Sequence, residues 1–311
     1  MDDLLIIGGS AVATAAGIYA ARDRVKLKVV SDDWGGEVAT SGEIENYPGF
    51  IHTDGIALAD EFLKHLRANG VEPEIGVRIE EIEKNPDGSF TAKGKKNGTE
   101  VSYQAKTVIV GTGVHPRELN VPGEKEFRNK GVSYCSVCDM PLFKGKTVAV
   151  VGGGNSSLES ILMAAKIANK VYSININAEL TGEAVYIEQV KKLPNVEIIA
   201  NAKTTEILGQ QFVTGIKYAD TKTNETKELG GINGIFVHIG MIPNSDFVKS
   251  LGIKLNEYRE IEVDSNCQTN VPGLFAAGDV TNTPYKQIAV ATGHGVTAAL
   301  SVISYLRKIK N

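Results

Sequence analysis

Apolar residues come in short blocks separated by glycines, and the spacing of those blocks predicts the elements. Leu4-Leu5-Ile6-Ile7 is too brief for a helix and is stopped by Gly8-Gly9, which predicts a strand ending in a tight turn. Ala11 to Arg22 then places small residues along one face and predicts a helix, and Leu27-Lys28-Val29-Val30 predicts the next strand. Strand, glycine turn, helix, strand is a βαβ unit and implies a parallel sheet. The succession returns downstream: Thr147 to Val151 is apolar, Gly152-Gly153-Gly154 is a turn, Ser157 to Ala168 a helix, and Lys170 to Ile176 a strand. Two such units predict two nucleotide-binding-type domains and not a short-period solenoid. Between them, Glu43 to Phe50 with its Pro48-Gly49 reads as a loop, and Ala57 to Asn69 as an amphipathic helix. Residues 74 to 110 alternate in short runs, as an antiparallel meander does, and end in the apolar strand Thr107 to Val110. Past Gly240, Pro243 marks a hinge. Gly273 to Asp279 then reads as a buried strand ending in an acidic turn, and Gln287 to Lys308 as a final helix.

Composition narrows this picture without redrawing it. The 311 residues suffice for two domains at ~100–200 residues each. A chain that is 42% hydrophobic and 23% charged has ordinary globular composition, which excludes disorder throughout. With 33 basic against 37 acidic side chains the net charge is −4, and no basic stripe marks a general nucleic-acid binder. No apolar run approaches the ~20 residues that span a bilayer. The chain enters its first strand after two acidic residues, unlike a signal peptide. The expectation is a cytoplasmic protein with neither nucleic acid nor membrane as partner.

The glycine turns are candidate dinucleotide sites. Gly8-Gly9-Ser10-Ala11-Val12-Ala13 stands where a G-x-G-x-x-G/A fingerprint would be. The first glycine makes the turn, the second lets backbone approach a pyrophosphate, and the last position needs a small residue for packing. Gly8 and Ala13 meet the first and third demands, and Ala11 opens the helix. Ser10 fails the second, because its Cβ stands where phosphate should approach, although its hydroxyl could donate a compensating hydrogen bond. The acid expected about 20 residues on, for a ribose hydroxyl, is met by Asp32, one place after Ser31. The second turn, with Gly152, Gly154, Asn155 and Ser156, is the better match. At both places a plain packing turn is the alternative. A 2′-phosphate would require cations at the end of the following strand, yet Asn175-Ile176-Asn177-Ala178-Glu179 has none, and no Lys or Arg follows until Lys191. NADPH is therefore disfavoured, which leaves NADH, another reductant or no nicotinamide.

The sharpest chemistry lies in Tyr134-Cys135-Ser136-Val137-Cys138-Asp139-Met140. A C-x-x-C spacing at a turn or helix start brings two sulfurs within bonding distance, and a helix end stabilises a thiolate. The adjoining Asp139 can shuttle a proton as thiol and thiolate interchange. The alternatives are a zinc site and inert buried thiols. Zinc needs four ligands, and Cys267 with five scattered histidines supplies no second metal-spaced pair, so no metal is expected. Three cysteines, one of them distant, are not a secreted disulfide framework, and Cys267 reads as an unpaired bystander.

Taken in order, these segments resemble the low-molecular-weight thioredoxin reductases, FAD-containing members of the pyridine nucleotide-disulfide oxidoreductases. Ala16 to Arg22 resembles that family's AAIYAAR helix, and Gly35-Gly36 with Glu43 to Phe50 its GGQ…EVENYPGF segment. Gly111-Thr112-Gly113 is similar to its ATG crossing, Tyr134 to Asp139 to YCATCD, Ala276 to Val280 to AAGDV, and Lys286-Gln287-Ile288 to RQI/RQA. The likeness extends over essentially the whole chain.

The resemblance implies an α/β fold of two Rossmann-like dinucleotide-binding domains, the FAD domain being discontinuous, with three-layer and antiparallel meander elements. The FAD domain would comprise residues 1–114 and 243–311, and the NAD(P)-type domain with the redox disulfide residues 115–242. In the family that second domain rotates to present first nicotinamide and then disulfide to the flavin. By position, Cys138 would face the flavin, Cys135 would attack the partner disulfide, and Asp139 would be the acid/base. FAD contacts would come from Gly8, Ser10, Ala11, Ala13, Asp32, Gly36, Glu37, Asn46, Thr112, Gly113, Gly278, Asp279, Lys286, Gln287 and Ile288. A nicotinamide would sit at Gly152, Gly154, Asn155 and Ser156. The family is homodimeric and passes electrons to thioredoxin or a thioredoxin-like protein.

The departures from the pattern are Ser10 for glycine, Ser31 at the usual acidic place, Glu37 for glutamine, and Asn175-Ile176-Asn177 where the family has HRR. These point to a subgroup that takes electrons from NADH, ferredoxin or an unidentified donor. A second enzyme class to weigh is an FAD-dependent dithiol oxidase that passes electrons to oxygen; such oxidases carry His where Asp139 stands. A third reading is a flavin-free, non-enzymatic relative. Trp34, the only tryptophan, either covers the cofactor or packs in the core. His294 has no evident partner.

Overall fold

The computed structural model describes residues 1–41 and 43–310, without the side chains of Glu43, Cys138 and Lys310. The chain divides into two compact units, Met1–His115 with Ile242–Asn311, and Pro116–Met241. Its two crossings, Val114–Pro116 and Met241–Pro243, pair as a two-stranded sheet.

In the first unit the strands Glu74–Ile75, Leu27–Ser31, Asp2–Ile7, Thr99–Val110, Phe90–Lys96 and Val77–Lys84 lie side by side in that order, with Leu274–Ala276 paired to Thr99–Val110. Thr99–Val110 does two jobs. Its first half pairs antiparallel with Phe90–Lys96, and its second half runs parallel to Asp2–Ile7. Burial along it follows suit, mostly exposed at the start and continuous over Thr107–Val110. That change is expected where a sheet passes from one covered face to two. α1 (Ala11–Arg22) and α2 (Gly55–Ala68) follow the first strand and the short Thr53–Asp54 strand. The Asp54 carboxylate caps α2 by accepting from the Ala57 N–H at 2.9 Å.

The second unit builds its own parallel sheet from Val132–Ser133, Gly234–Val237, Thr147–Val151, Lys170–Ile174 and Val196–Ile199. Its helices are α3 (Ser136–Asp139), α4 (Asn155–Ala165) and α5 (Ala184–Lys191). An antiparallel sheet of Ala202–Gly209, Val213–Asp220 and Thr226–Gly230 covers one side, through Ile207, Val213 and Ile216. α4 begins two residues before the predicted start, because Gly154 is its N-cap, and the following strand stops at Ile174.

The chain then returns to the first unit and ends in α6 (Ile288–Lys310). Leu4, Ile6, Val29, Ile109 and Phe275 face α1 and α6 through Ala13, Ala16, Ala298 and Val302. Leu5, Ile7, Val30 and Val110 face the meander and Val248. Helices, parallel sheet and meander are thus three layers. One expectation needs correction. Ile288–Ile309 is a stretch of 22 residues long and apolar enough, by length and composition, to cross a membrane. Its Gly, Ala, Thr and Ser residues break up any visible run of large apolar side chains. Ala298, Ala299, Val302, Ile303 and Leu306 are buried, and they form the helix's contribution to the core.

Candidate active site

Strand register positions the first group of residues. Ile7 is paired with Val30 and with Val110, and Val110 with Ala276, so four parallel strands end side by side. Such an edge is where open α/β sheets take ligands. Gly8 has φ +141°, and a Cβ there would run into the Gly111 carbonyl, so only glycine closes this turn. Ala11 and Ala13 are buried at the start of α1, whose first N–H groups have no intrahelical partners.

Ser10 corrects an expectation. Its Oγ donates to the Gly35 carbonyl at 2.6 Å, so that proton is spent within the protein. Ser31 ends its strand buried and donates to the Asp33 carbonyl. Asp32 is exposed, 3.9 Å from Arg78. Its neighbour Asp33, which sequence reasoning passed over, has its carboxyl pushed up by desolvation and by Asp32.

Around the same edge, Gly36 (φ +52°), Gly113 (φ +61°) and Gly278 (φ +74°) are left-handed. Desolvation raises the Glu37 carboxyl, Thr40 bonding opposes the rise, and Asp33 and Asp279 add to it. The Asp279 carboxyl is also raised by burial, against the pull of Lys286. Its buried Oδ1 has no hydrogen-bond partner among the described residues. Lys286 itself is engaged, with Nζ 2.6 Å from the Thr281 carbonyl, 3.1 Å from the Asp279 carbonyl and 2.7 Å from Glu260 Oε1. It holds the acidic turn and is no longer a free cation for a cofactor. Asn46 Nδ2 donates to Gln287 Oε1 at 3.3 Å, bringing those two together just before Ile288 opens α6.

Thr112 donates to the Asn244 carbonyl at 2.8 Å, and Asn244 Nδ2 returns a bond to the Thr112 carbonyl at 2.9 Å. His115 Nδ1 lies 2.6 Å from Asn244 Oδ1. Asn244 carried no sequence signal, because its role is to tie two distant segments. Trp34 packs in the core and donates Nε1–H to the Ala59 carbonyl at 2.9 Å.

In the second unit the strands end together at Val151, Ile174 and Val237, and the residues that follow meet. Gly152 has φ +139°, and a Cβ on it would strike the His238 carbonyl. Gly153 lies against the Asn175 amide. Buried Asn175 donates to the carbonyls of Asn177 (3.0 Å) and Glu179 (2.8 Å), so it holds its own loop. Gly154 borders open space, and Ser156 is exposed beside it. Asn155 trades hydrogen bonds with Glu183, at 3.0 Å and 2.7 Å.

Cys135 follows the strand Val132–Ser133 and is disulfide-bonded. The side chain of Cys138 lies outside the described residues. Ser133 Oγ accepts from the Cys135 N–H at 3.1 Å and donates to Asp139 Oδ2 at 2.7 Å. Asp139 N donates to the Cys135 carbonyl at 3.2 Å, closing the single turn of α3. Tyr134 donates to Glu124 Oε1 at 2.7 Å, and burial followed by that bond pushes its phenol up. Cys267 is a free thiol, raised by burial to about 11, with Sγ 3.6 Å from the His294 carbonyl. A thiol that stays protonated at neutral pH is a poor nucleophile. Among the described residues, no group of three or more His, Cys, Asp or Glu is placed to hold a metal ion.

This arrangement pairs two dinucleotide-type turns with a disulfide at a helix start, and residues 2–295 match the family described as pyridine nucleotide-disulphide oxidoreductase. The chain belongs to that family. It is an FAD-binding family of oxidoreductases, and the fold is of the thioredoxin reductase type. The chain is similar to thioredoxin reductase of Lactococcus lactis, with TM-score 0.92 and 31% identity, covering 99% of this chain and 100% of that one. It is 42% identical over 305 residues to a component of the alkyl hydroperoxide reductase of Pseudomonas putida, covering 98% of this chain and 58% of the relative. It is 41% identical over 304 residues to an NADH dehydrogenase of Ferdinandcohnia aciditolerans, covering 98% of this chain and 57% of the relative. The chain therefore spans under two thirds of the length of these curated relatives. Within a pyridine nucleotide-disulphide oxidoreductase, the two turns and the disulfide are the features to which chemistry is to be assigned.

Proposed function

We propose that this chain is an NADH-linked flavin disulfide reductase acting on a thioredoxin-like protein. The observation that carries the reading is the disulfide-bonded Cys135 at the start of a single helical turn, with the Asp139 carboxylate oriented by Ser133. FAD suits the first unit, residues 1–114 with 243–311. Gly8 closes the turn, the positive end of α1 would meet the phosphates, and Asp279 Oδ1, without a partner among the described residues, could accept from a flavin side-chain hydroxyl. Gly36, Glu37, Asn46, Thr112, Gly113, Gln287 and Ile288 would line the remainder. FAD, when bound there, would supply the two-electron redox chemistry that links a reduced nicotinamide to the disulfide.

In the second unit, residues 115–242, Gly152 and Gly154 give a nicotinamide dinucleotide its turn. The loop from Asn175 to Glu183 contains no cation to meet a 2′-phosphate, and one relative is an NADH dehydrogenase by name. Both features support NADH over NADPH. Reduction of a Cys135–Cys138 disulfide consumes two electrons and two protons and leaves two thiols. Asp139 moves the proton at the sulfurs. Cys135 as thiolate then attacks the partner's disulfide and forms a mixed disulfide. Cys138 attacks that bond, so the partner leaves as a dithiol and the pair is oxidised again.

Anaerobic titration of the yellow protein separately with NADH, NADPH and reduced ferredoxin tests the donor. NADH should bleach the flavin stoichiometrically. Rapid bleaching at micromolar NADPH, or bleaching by ferredoxin alone, would refute the assignment.

A further inference from the structure

One cluster in the second unit has no part in the steps above. Ser136, the residue after Cys135, is buried, and its Oγ lies 2.7 Å from Ser160 Oγ on α4 and 2.8 Å from His238 Nε2. A hydroxyl has one proton to give, so Ser136 accepts in at least one of these two bonds. His238 is itself fixed. Its backbone N–H donates to the Val151 carbonyl at 2.8 Å, and its own carbonyl packs so closely on Gly152 that no Cβ fits there. Ser160 is equally buried, on the helix that opens at the glycine turn. Sheet, helix and cysteine loop are thus joined at one oxygen. Burial keeps the imidazole neutral, with its pKa lowered to about 4, so at neutral pH it acts as a hydrogen-bonding group and not as a charge.

We propose that His238 and Ser160, acting through Ser136, are positioning residues that hold the cysteine loop in its disulfide geometry and thereby set the reduction potential of that disulfide. The inference rests on reading Cys135–Cys138 as the redox pair. Opening an S–S bond takes the sulfurs from about 2 Å to non-bonded separation. Ser136 lies between the two cysteines in sequence, so any backbone movement that accompanies opening works against an anchor formed with the disulfide closed. The anchor therefore favours disulfide over dithiol, and its loss makes the pair easier to reduce.

The test equilibrates the whole flavoprotein with mixtures of reduced and oxidised dithiothreitol, then alkylates and quantifies free Cys135 by mass spectrometry. Each exchange moves two electrons and two protons from the reagent to the protein disulfide. Ser136→Ala, which loses both bonds, should shift the equilibrium about tenfold toward dithiol, about 30 mV for a two-electron couple, and His238→Ala, which leaves the Ser160 bond, by more than about threefold but less than Ser136→Ala. The double variant should shift no further than Ser136→Ala, which already removes both bonds at that oxygen. His238→Gln, whose amide reaches the place of Nε2, should stay within about threefold of the parent. A structural role alone would not produce that rescue or that non-additivity. Should His238→Ala fail to fold, Ser136→Ala, which removes a single oxygen, carries the measurement. Shifts under twofold in Ser136→Ala, or additive effects, overturn the proposal. A parent whose Cys135 never becomes reducible overturns instead the redox reading beneath it.

Discussion

His238 leaves a pH signature at the scale of a single residue. Its imidazole titrates at about 4 in the fold against an ordinary 6.5, because burial disfavours the charged form. The unfolded chain therefore takes up this proton first as the pH falls. Stability from the neutral imidazole is complete above about 6.5 and is lost progressively down to about 4. Between pH 7.5 and 4.5, urea unfolding of the parent should lose about 2 kcal/mol more than that of His238→Gln. Equal losses would mean that the imidazole is not held neutral. Sequence ranked this histidine with the scattered ones, because nothing near it in the chain announces Ser136 or Ser160. Ser10 shows the opposite case. Its departure from glycine was plain in the sequence, yet only the Gly35 carbonyl explains where its proton goes.

At the scale of elements, α1 and α6 show how closely helices must approach behind a dinucleotide turn. Gly295 of α6 faces α1 so tightly that a Cβ would sit 2.7 Å from the Val12 carbonyl oxygen and 3.0 Å from its Cα. Helix propensity alone would reward Gly295→Ala by about 1 kcal/mol. Overpacking costs typically about 1–3 kcal/mol, and here the obstacle is backbone, which cannot rotate away. The clash should win. Gly295→Ala is expected to lower thermal stability and to reduce bound flavin, since moving Val12 moves the Gly8–Ala13 turn. Thermal unfolding with absorbance of the released flavin measures both, and a stabilised, fully yellow variant would refute it. The boundaries of α1 were legible because alanines and a glycine turn delimit it. Those of α4 were displaced because Gly154, last of three glycines, serves as the cap.

For the whole molecule, the flavin-type turn and the cysteine loop belong to different units, and the chain passes between them along two paired strands. Donor oxidation and disulfide reduction should therefore be separable. Cys138→Ser should keep its flavin and its bleaching by NADH, yet reduce a thioredoxin-like protein at least ~100-fold more slowly. Cys267→Ala, removing a buried thiol, should change neither rate. Steady-state assays with stopped-flow flavin absorbance distinguish these steps. A fully active Cys138→Ser protein would sink the assigned electron path.

Local patterning settled the kind of protein this is. Two short apolar strands running into glycines, an alanine-rich helix and a C-x-x-C are decided by neighbours in sequence, where sterics and chain entropy act directly. The missing cations after Ile174 were equally visible, since the absence of a side-chain type needs no fold to detect it. Tertiary structure alone decided the pairings across distance. Asn244 ties to Thr112, Lys286 is drawn to Glu260 and two carbonyls, and Asp279 keeps a buried oxygen without a partner among the described residues. His238 meets Ser136 for the same reason. Hydrogen bonds and desolvation depend on which atoms share a few ångströms of space, and the register of parallel strands sets that. Strand register aligns Val151 with Val237 and so carries His238 to the cysteine loop.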